Sequence, residues 1–411
     1  MTLRNDADLI IKESLHRVLP DEAVAQALQN KKFGTGKLVV VAAGKAAWQM
    51  AKTAYDLLED RIDRGVVVTK YDHVMSEIPK IICYEAGHPV PDENSFIATQ
   101  AALDVVSDLT EDDTVLFLLS GGGSALFEKP LVTPQELTDI TKQFLACGAD
   151  ITEINTIRKR LSAVKGGRFA EICAPAHVFS IVLSDILGDP LDMIASGPAY
   201  PDSTTCEMAL EIVKKYNLKL SDSAMGLLHK ETPKKLHNVE TVITGSVRIL
   251  CNAAADAAEK LGYKPFVLTD QLTCQAKEAG SFLASIARSY QNTTESLAFI
   301  AGGETVVHLK GNGKGGRNQE LALAAAEGLS DCVDSAIFSI GSDGTDGPTD
   351  AAGGYVDHQT KQLLKQQGID IYDVLAENDS YHALQKTDGL IITGATGTNV
   401  NDVAVLLIKR S

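Results

Sequence analysis

The chain has 411 residues, of which 45% are hydrophobic and 22% charged, a composition that supports packed cores and excludes general disorder. The net charge of −16 argues against non-specific nucleic-acid binding, because a phosphate backbone needs a basic surface. The N-terminal sequence lacks the features of a secretory signal, and no apolar stretch approaches the roughly 20 residues that span a bilayer. The seven cysteines are scattered and form no C-x-x-C pair. We therefore expect a cytoplasmic protein without nucleic-acid or membrane partners.

Strand-like apolar runs alternate with segments of helical periodicity along most of the chain. The predicted strands are 37–43, 65–69, 81–85, 114–120, 178–184, 241–244, 265–269, 297–301, 336–340 and 390–393, with the clearest early helices at 46–60 and 93–109. This alternation predicts an α/β fold of two domains, each with a mainly parallel sheet flanked by helices. In such sheets, ligands bind beyond the carboxyl ends of the strands.

The best candidate boundary is the segment from Tyr200 to Val239, which opens with turn residues and ends in a polar stretch. The length of the chain suits two domains. We predict an N-terminal Rossmann-like α/β domain over residues 1–239 and a second α/β domain over residues 240–411.

A glycine-rich turn, Ser120–Ser124 (SGGGS), follows the strand at 114–120 and precedes a helix. Successive glycines let backbone amides approach a ligand closely, and a helix N-terminus favours an anion. A tight strand–helix turn without a ligand is the alternative. The G-x-S-x-G motif of hydrolases fails because Leu126 stands where its last glycine should be, and neither a Walker A motif nor a complete G-x-G-x-x-G follows an early strand.

Three cations lie beside glycines. Lys45 directly follows the first strand, where it could meet a phosphoryl or carboxylate oxygen. Lys165 ends a basic segment at a Gly-Gly pair. Arg317 follows a predicted hairpin turn through Gly311–Gly316 and begins a predicted helix, where its charge opposes the helix dipole and so indicates a function. A solvated surface cation is the alternative for Lys45 and Lys165.

Two loops after predicted strands carry clustered aspartates. The first holds Asp185, Asp189 and Asp192, which suit Mg²⁺ or a base for a substrate hydroxyl, although turn formation or helix capping would also use aspartate. In the second loop, Gly341–Gly354, the spacing does not decide between metal binding, substrate binding and turn formation for Asp343, Asp346 and Asp350. Phosphoryl transfer uses cations, carboxylates and glycine turns, and this sequence places all three at predicted strand ends.

Several long motifs in order resemble those of the bacterial and archaeal glycerate 2-kinases, whose C-terminal domain is of the MOFRL type. The motifs are GKAAWQMA, SGGGSALF, LSAVKGGRFA, LSDILGDPLDMIASGP, GGETVV, GGRNQELALA and GSDGTDGPTDAAG. The resemblance covers nearly the whole chain. It implies ATP- and Mg²⁺-dependent phosphorylation of D-glycerate to 2-phosphoglycerate, in a cleft between two α/β domains of which residues 240–411 form the MOFRL-type domain.

The resemblance also implies residue roles. Lys45 and Arg317 would stabilise the transferring phosphoryl group or clamp the glycerate carboxylate, and Asp185 and Asp189 would bind Mg²⁺ or accept the hydroxyl proton. The expected cofactor-binding residues are Ser120, Gly121, Gly122, Gly123, Ser124, Lys165, Gly302, Gly303, Glu304 and Asp343. A homodimer is the expected assembly.

Two alternatives remain open from the sequence. Some members of the family carry an older label as hydroxypyruvate reductases, which would use NAD(P)H. Such an enzyme would need a dinucleotide fingerprint with an acidic residue about 20 positions on, and neither is evident. A non-catalytic sensor of a sugar or nucleotide would keep the glycine loops but would not need Lys45, Arg317 and the aspartates together.

Overall fold

The computed structural model describes residues 2–410, which form two compact units. The N-terminal unit consists of residues 23–184 and 189–244, and the C-terminal unit of residues 245–410 together with residues 2–22 and 185–188. The division between the units lies at Thr244/Gly245, and residues 2–22 belong to the C-terminal unit; the domain limits predicted at 239/240 stay a prediction.

Most helices begin and end where local sequence dictates. Polar side chains accept a hydrogen bond from a first-turn amide at several helix starts: Thr133, Asp150, Thr205, Ser221 and Ser246. The helices among residues 2–410 are α1 (Leu3–Arg17), α2 (Pro20–Leu28), α3 (Ala47–Leu58), α4 (Glu93–Asp104), α5 (Gly123–Leu126), α6 (Pro134–Cys147), α7 (Ile151–Arg160), α8 (Arg168–Cys173), α9 (Cys206–Tyr216), α10 (Asp222–Leu228), α11 (Val247–Lys260), α12 (Ala276–Ser289), α13 (Arg317–Leu329), α14 (Thr360–Gln366), α15 (Ile371–Ala376) and α16 (Ser380–Gln385).

The strands form two six-stranded sheets. They are β1 (Leu38–Ala43), β2 (Arg64–Lys70), β3 (Ile81–Ala86), β4 (Thr114–Leu119), β5 (His177–Leu183), β6 (Val239–Gly245), β7 (Lys264–Leu272), β8 (Leu297–Gly303), β9 (Ser335–Gly341), β10 (Gly353–Asp357), β11 (Leu390–Ile391) and β12 (Asp402–Ile408).

The first sheet has the strand order β3-β2-β1-β4-β5-β6, and the pairings among β1 to β5 are all parallel. This order is that of dinucleotide-binding α/β folds, in which ligands lie at the point where the order reverses, between β1 and β4. Every residue of β1 and β4 is buried. Met50 and its neighbours on α3 cover one face, and an aromatic cluster of Phe117, Phe127 and Phe169 lies on the other.

The second sheet is mixed, with the order β11-β10-β9-β12-β8-β7. Only β7 and β8 pair in parallel, and the other four pairings are antiparallel. Four strands (β7, β8, β9 and β11) nevertheless run in one direction, with β10 and β12 opposed. Helices α1 and α11 cover one face of this sheet, and α12 and α13 cover the other. The α/β fold with two helix-flanked sheets is confirmed.

Helix α1 belongs to the C-terminal unit because of its apolar side. Ala7, Ile10 and Ile11 lie in the same buried cluster as residues of α11, β8, β9 and β12. Asp6 is also buried, and its Oδ2 accepts hydrogen bonds from the Tyr263 hydroxyl and from Lys409 Nζ, each at 2.7 Å. A polar contact and an apolar face therefore hold the N-terminus of the chain to its C-terminal half.

Two sequence-based expectations differ from the structure. Strands β10 and β12 were not predicted. The hairpin expected around Gly311–Gly316 is wrong, because this segment is an irregular loop whose amides donate to side chains of another segment. Lys310 N donates to Asn378 at 2.8 Å, and Lys314 N donates to Asp379 at 2.8 Å. The helices α9 and α10, within the candidate boundary segment, pack with α6 and α7 in a buried cluster.

None of the helices among residues 2–410 is long and apolar enough to span a lipid bilayer.

Replacing Asp6 with alanine should lower the free energy of unfolding by about 2 kcal/mol, because Tyr263 and Lys409 lose a shared acceptor in a buried place. Urea unfolding followed by circular dichroism measures this change. Asp8→Ala is the matched control, since Asp8 is half-exposed on the same helix and pairs with Arg4 at 3.0 Å, and it should cost less than about 0.5 kcal/mol. Equal effects of the two changes would contradict a structural role for Asp6.

Candidate functional site

The turns that follow β1 and β4 are joined to each other at the point where the strand order of the first sheet reverses. Lys45 N donates to the carbonyl of Gly121 at 2.9 Å, and Ala46 N donates to Ser120 Oγ at 3.0 Å. Gly44 has a φ of +125°, and a Cβ there would lie 2.3 Å from Ser120 Oγ, so only glycine fits. The two predicted sites, Lys45 and the SGGGS turn, therefore form one surface.

Packing as well as ligand access explains the run of glycines in the turn. Gly122 has a φ of +86°, in the left-handed region. A Cβ on Gly123 would lie 2.7 Å from the Cβ of Ala195, which belongs to the bend before Gly197. Gly123 is buried, whereas Gly121 and Gly122 are partly exposed. The backbone open to a ligand is thus that of Gly121 and Gly122.

Cationic and titratable side chains gather over this turn; we call Lys45, Lys70, His73 and His88 the basic cluster. The Lys45 ammonium, which is half-buried, has no hydrogen-bond partner among residues 2–410. His73 Nδ1 lies 3.0 Å from the carbonyl oxygen of Lys45. Burial lowers the pKa of His88, and the charges of Lys45, Lys70 and His73 lower it further. In a chain of net charge −16, this cluster is a local site for an anion.

Sequence reasoning did not select Lys70, His73 or His88. The signal was available, because Lys70 ends β2 and the two histidines follow β2 and β3. The carboxyl ends of neighbouring parallel strands meet at one edge of a sheet. His88 stands in the segment GHPVPD, directly after a strand that the periodicity predicted.

Lys165 has a different role from the predicted one. Its side chain is completely buried, with Nζ 3.1 Å from Glu128 Oε2 and 2.9 Å from the carbonyl oxygens of Ser124 and Phe127. These three contacts use the donors of the ammonium. Burial lowers the pKa of Lys165, and Glu128 opposes that effect. Lys165 therefore holds the chain that follows the glycine turn, and the structure offers no free donor for the predicted cofactor contact.

The two predicted metal ligands, Asp185 and Asp189, fall on different units. Asp185 belongs to the C-terminal unit, where Asn401 Nδ2 donates to its carbonyl oxygen at 3.2 Å. Asp189 has a φ of +52°, and its Oδ1 is buried without a hydrogen-bond partner among residues 2–410. A strained backbone with an unsatisfied buried oxygen is typical of a site that awaits a ligand. Asp192, in contrast, pairs with Lys159 at 3.3 Å.

Arg317 begins α13, as predicted, and is held by two carboxylates. Its Nε and Nη2 donate to the two oxygens of Asp402 at 2.6 and 3.0 Å, and its Nη1 donates to Glu304 at 2.7 Å. Burial lowers the pKa of Arg317, but the two acids raise it more, so the guanidinium is charged throughout the accessible pH range. Asp402 is buried and Glu304 is about half-exposed, so Glu304 is the partner that an anionic ligand could replace.

A buried carboxylate offsets the unfavourable position of Arg317 at the positive end of α13. Asp346 accepts hydrogen bonds from Asn318 N at 3.2 Å, from Gln319 N at 2.8 Å and from Gln319 Nε2 at 3.0 Å. Burial raises the pKa of Asp346, and these hydrogen bonds oppose the shift. A negative charge at a helix N-terminus is stabilising. Asp346 therefore caps α13 from another loop, which settles the role that its spacing left open.

The other acids of that loop also have partners. Asp343 Oδ1 accepts from Thr345 N at 3.0 Å, a turn contact, and Asp350 accepts from the Tyr381 hydroxyl at 2.7 Å. The cofactor contact expected of Asp343 stays a prediction.

Gly302 and Gly303 lie too close to neighbouring atoms to carry a side chain. A Cβ on Gly302 would lie 2.3 Å from Cys251 Sγ, and one on Gly303 would lie 2.2 Å from the carbonyl oxygen of Leu272. Both glycines are buried in β8, so the structure explains them by packing, and their cofactor role, like that of Glu304, stays a prediction.

Two families match this chain. Residues 6–229 match a family described as a domain of unknown function (DUF4147), and residues 297–402 match the MOFRL family.

Curated relatives resemble the chain over its full length. It is 52% identical to D-glycerate 2-kinase of Thermotoga maritima, over 99% of both chains, and 39% identical to glycerate 2-kinase of Pyrococcus horikoshii, over 99% of this chain and 98% of that protein. A protein of Agrobacterium vitis with a provisional name as a hydroxypyruvate reductase is 39% identical over 91% of this chain and all of that protein. The crystal structure of a Thermotoga maritima glycerate kinase superposes with a TM-score of 0.94 at 51% identity, covering 99% of each chain.

Lys165→Met should lower the free energy of unfolding by about 3 kcal/mol, because it leaves the Glu128 carboxylate buried without a cation. The double change Lys165→Met with Glu128→Met should recover part of this loss, as both charges are then absent. Chemical denaturation of the single and double variants measures the difference. An unchanged stability of the single variant, with a loss of ATP affinity alone, would restore the cofactor contact and contradict the structural role.

Proposed function

The chain belongs to the glycerate 2-kinase family, and from that premise we propose that it transfers the γ-phosphoryl group of ATP to the 2-hydroxyl group of D-glycerate, giving 2-phosphoglycerate. The observation that carries this proposal is the 52% identity with a D-glycerate 2-kinase over 99% of both chains. The charge distribution supports it, because phosphoryl transfer needs positioned cations and backbone amides more than covalent chemistry.

In the N-terminal unit, the basic cluster and the amides of Gly121 and Gly122 would hold the charged oxygens of the reactants. Lys45 has a free ammonium beside these amides, so it could stabilise the transferring phosphoryl group or bind the glycerate carboxylate. Preorganised donors in a partly buried place cost little reorganisation when charge develops. The joined turns after β1 and β4 supply this preorganisation.

In the C-terminal unit, Arg317 is oriented before any ligand arrives. Its bidentate pairing with Asp402 sets the plane of the guanidinium, and the more exposed contact is with Glu304. A carboxylate or phosphoryl oxygen that replaced Glu304 would accept a charge-assisted hydrogen bond from Nη1. The cleft between the domains that the sequence implied stays a prediction.

Magnesium is the metal that we propose for ATP binding, with Asp189 as a ligand. No group of three or more His, Cys, Asp or Glu side chains suited to a metal exists in the described part of the chain. Mg²⁺ commonly takes only one or two carboxylates together with substrate phosphates, and the unsatisfied buried Oδ1 of Asp189 fits that use. When bound, the ion would neutralise charge on the phosphates. Asp185 remains the second proposed ligand.

We also propose that the enzyme works in the cytoplasm as a homodimer, both extensions of the sequence-based expectation. Its substrates would be D-glycerate and ATP.

Lys45→Ala and Arg317→Ala should each reduce kcat for glycerate phosphorylation by about 10²- to 10³-fold, the usual cost of removing one donor to developing charge. Asp189→Asn should raise the Mg²⁺ concentration required for half-maximal rate. Lys52→Ala, which removes an exposed lysine paired with Asp56 on α3, is the control and should leave kcat unchanged. Near-normal turnover in any of the three variants would remove that residue from the scheme.

The regiochemistry and the reductase alternative can be tested with one set of assays. Purified enzyme is incubated with ATP, Mg²⁺ and D-glycerate, and enolase is added without phosphoglycerate mutase. Formation of phosphoenolpyruvate is the expected result and means that the 2-phosphate was made. A signal only after mutase addition would mean the 3-phosphate. NADH oxidation with hydroxypyruvate, in the absence of ATP consumption, would overturn the kinase proposal.

A further inference from the structure

His88 lies against the glycine turn next to Lys45. Its Nε2 and Cδ2 atoms are 3.0 Å from the point that a Cβ on Gly122 would occupy, and Lys45 Cγ is 3.1 Å from the same point. A side chain at position 122 would therefore meet both residues. The imidazole and the free lysine ammonium share one small surface, above the accessible amides of the turn.

The His88 ring has no hydrogen-bond partner among residues 2–410, although it is only partly exposed. Three other titratable groups nearby have hydrogen-bond partners. His73 faces the Lys45 carbonyl through Nδ1, Glu85 accepts from the backbone amides of His73 and Val74 at 2.9 and 2.8 Å, and Asp92 accepts from the Tyr71 hydroxyl at 2.6 Å.

The charges around His88 favour its neutral form. Lys45 follows β1, and Lys70 and His73 lie at and after the end of β2; their positive charges, together with burial, lower the pKa of His88. A neutral imidazole with free nitrogens can accept a proton at neutral pH. Asp185 and Asp189, the sequence-based alternatives for this task, are the residues that we assign to Mg²⁺.

We propose that His88 is a catalytic residue: the proton acceptor for the substrate hydroxyl that attacks ATP. This inference rests on the proposed kinase function. The hydroxyl oxygen forms a bond to the γ-phosphorus while the bond from that phosphorus to the β–γ bridging oxygen breaks and ADP leaves. The hydroxyl proton passes to a ring nitrogen of His88, and the resulting imidazolium later loses it to solvent. Lys45 and the turn amides bind oxygens during this step.

The test is the rate of phosphorylation as a function of pH in the wild-type enzyme and in four variants: His88→Gln, His88→Ala, His73→Gln and His237→Ala. Wild-type kcat/KM should decrease as the pH is lowered, and the apparent pKa of this acid limb should lie below the ordinary histidine value. The His88→Gln variant keeps a polar side chain of similar reach, but glutamine cannot accept the proton, so kcat should fall about 10²-fold. KM should change little, and the acid limb of the pH profile should be absent. His88→Ala should be partly rescued by added imidazole. His237→Ala, which removes an exposed histidine of the same unit, is the matched control.

Each outcome decides between named possibilities. If wild-type enzyme does not phosphorylate glycerate, the kinase proposal fails. If wild-type enzyme is active and His88→Gln keeps a near-normal kcat and the acid limb, the role of His88 is overturned while the kinase function stands. Loss of the acid limb in His73→Gln but not in His88→Gln would assign the proton to His73. A lower kcat in His88→Ala without imidazole rescue, accompanied by a lower melting temperature, would mean a structural role.

Discussion

The arrangement of the C-terminal unit depends on a positive side chain placed at the positive end of a buried helix. Arg317 begins α13, and ten of the thirteen residues of this helix are buried, so α13 cannot shift to relieve the conflict. Two buried carboxylates resolve it. Asp402, from the central strand β12, neutralises the guanidinium, and Asp346 satisfies amides of the first helical turn. Carboxylates from two elements distant in sequence thus offset the unfavourable position of Arg317, and they give its guanidinium a defined orientation.

The N-terminal unit solves a related problem with backbone instead of charge. Glycine at 44 lets the turn after β1 contact Ser120, and glycine at 123 lets the turn after β4 contact Ala195. These contacts would exist without a ligand, yet they aim amides and Lys45 at a common surface. The bend at Ala195 and Ser196 has positive φ values, a second place where strain is held by packing around the site. Rigidity in this unit therefore comes from close backbone approach, and the basic cluster adds the charge.

Sequence patterns predicted the elements that are buried and periodic, and the residues that stand directly after parallel strands. Strands β1, β4, β5, β8 and β9 and the position of Lys45 were accessible in this way, and Arg317 was predicted from the helical pattern that it begins. The role of Lys165 was not, because a basic segment does not reveal that one of its cations will be enclosed with Glu128. Asp346 was ambiguous for a similar reason: its partners lie on α13, 27 and 28 residues away. Strands β10 and β12 run against the others, and periodicity alone carries no information about direction or about which sheet position a strand takes.

The attachment of α1 to the C-terminal unit has a consequence for biosynthesis. Helix α1 is synthesised well before α11 and β9, the elements on which its apolar side packs. Nearly all of the N-terminal unit is synthesised between these two events and can fold on its own sheet while Ile10 and Ile11 still lack their partners. Contacts between segments so far apart in sequence are slow to form, and unpaired apolar surface during synthesis invites aggregation. Protection of this apolar side until α11 and β9 have been made would therefore reduce aggregation of the nascent chain.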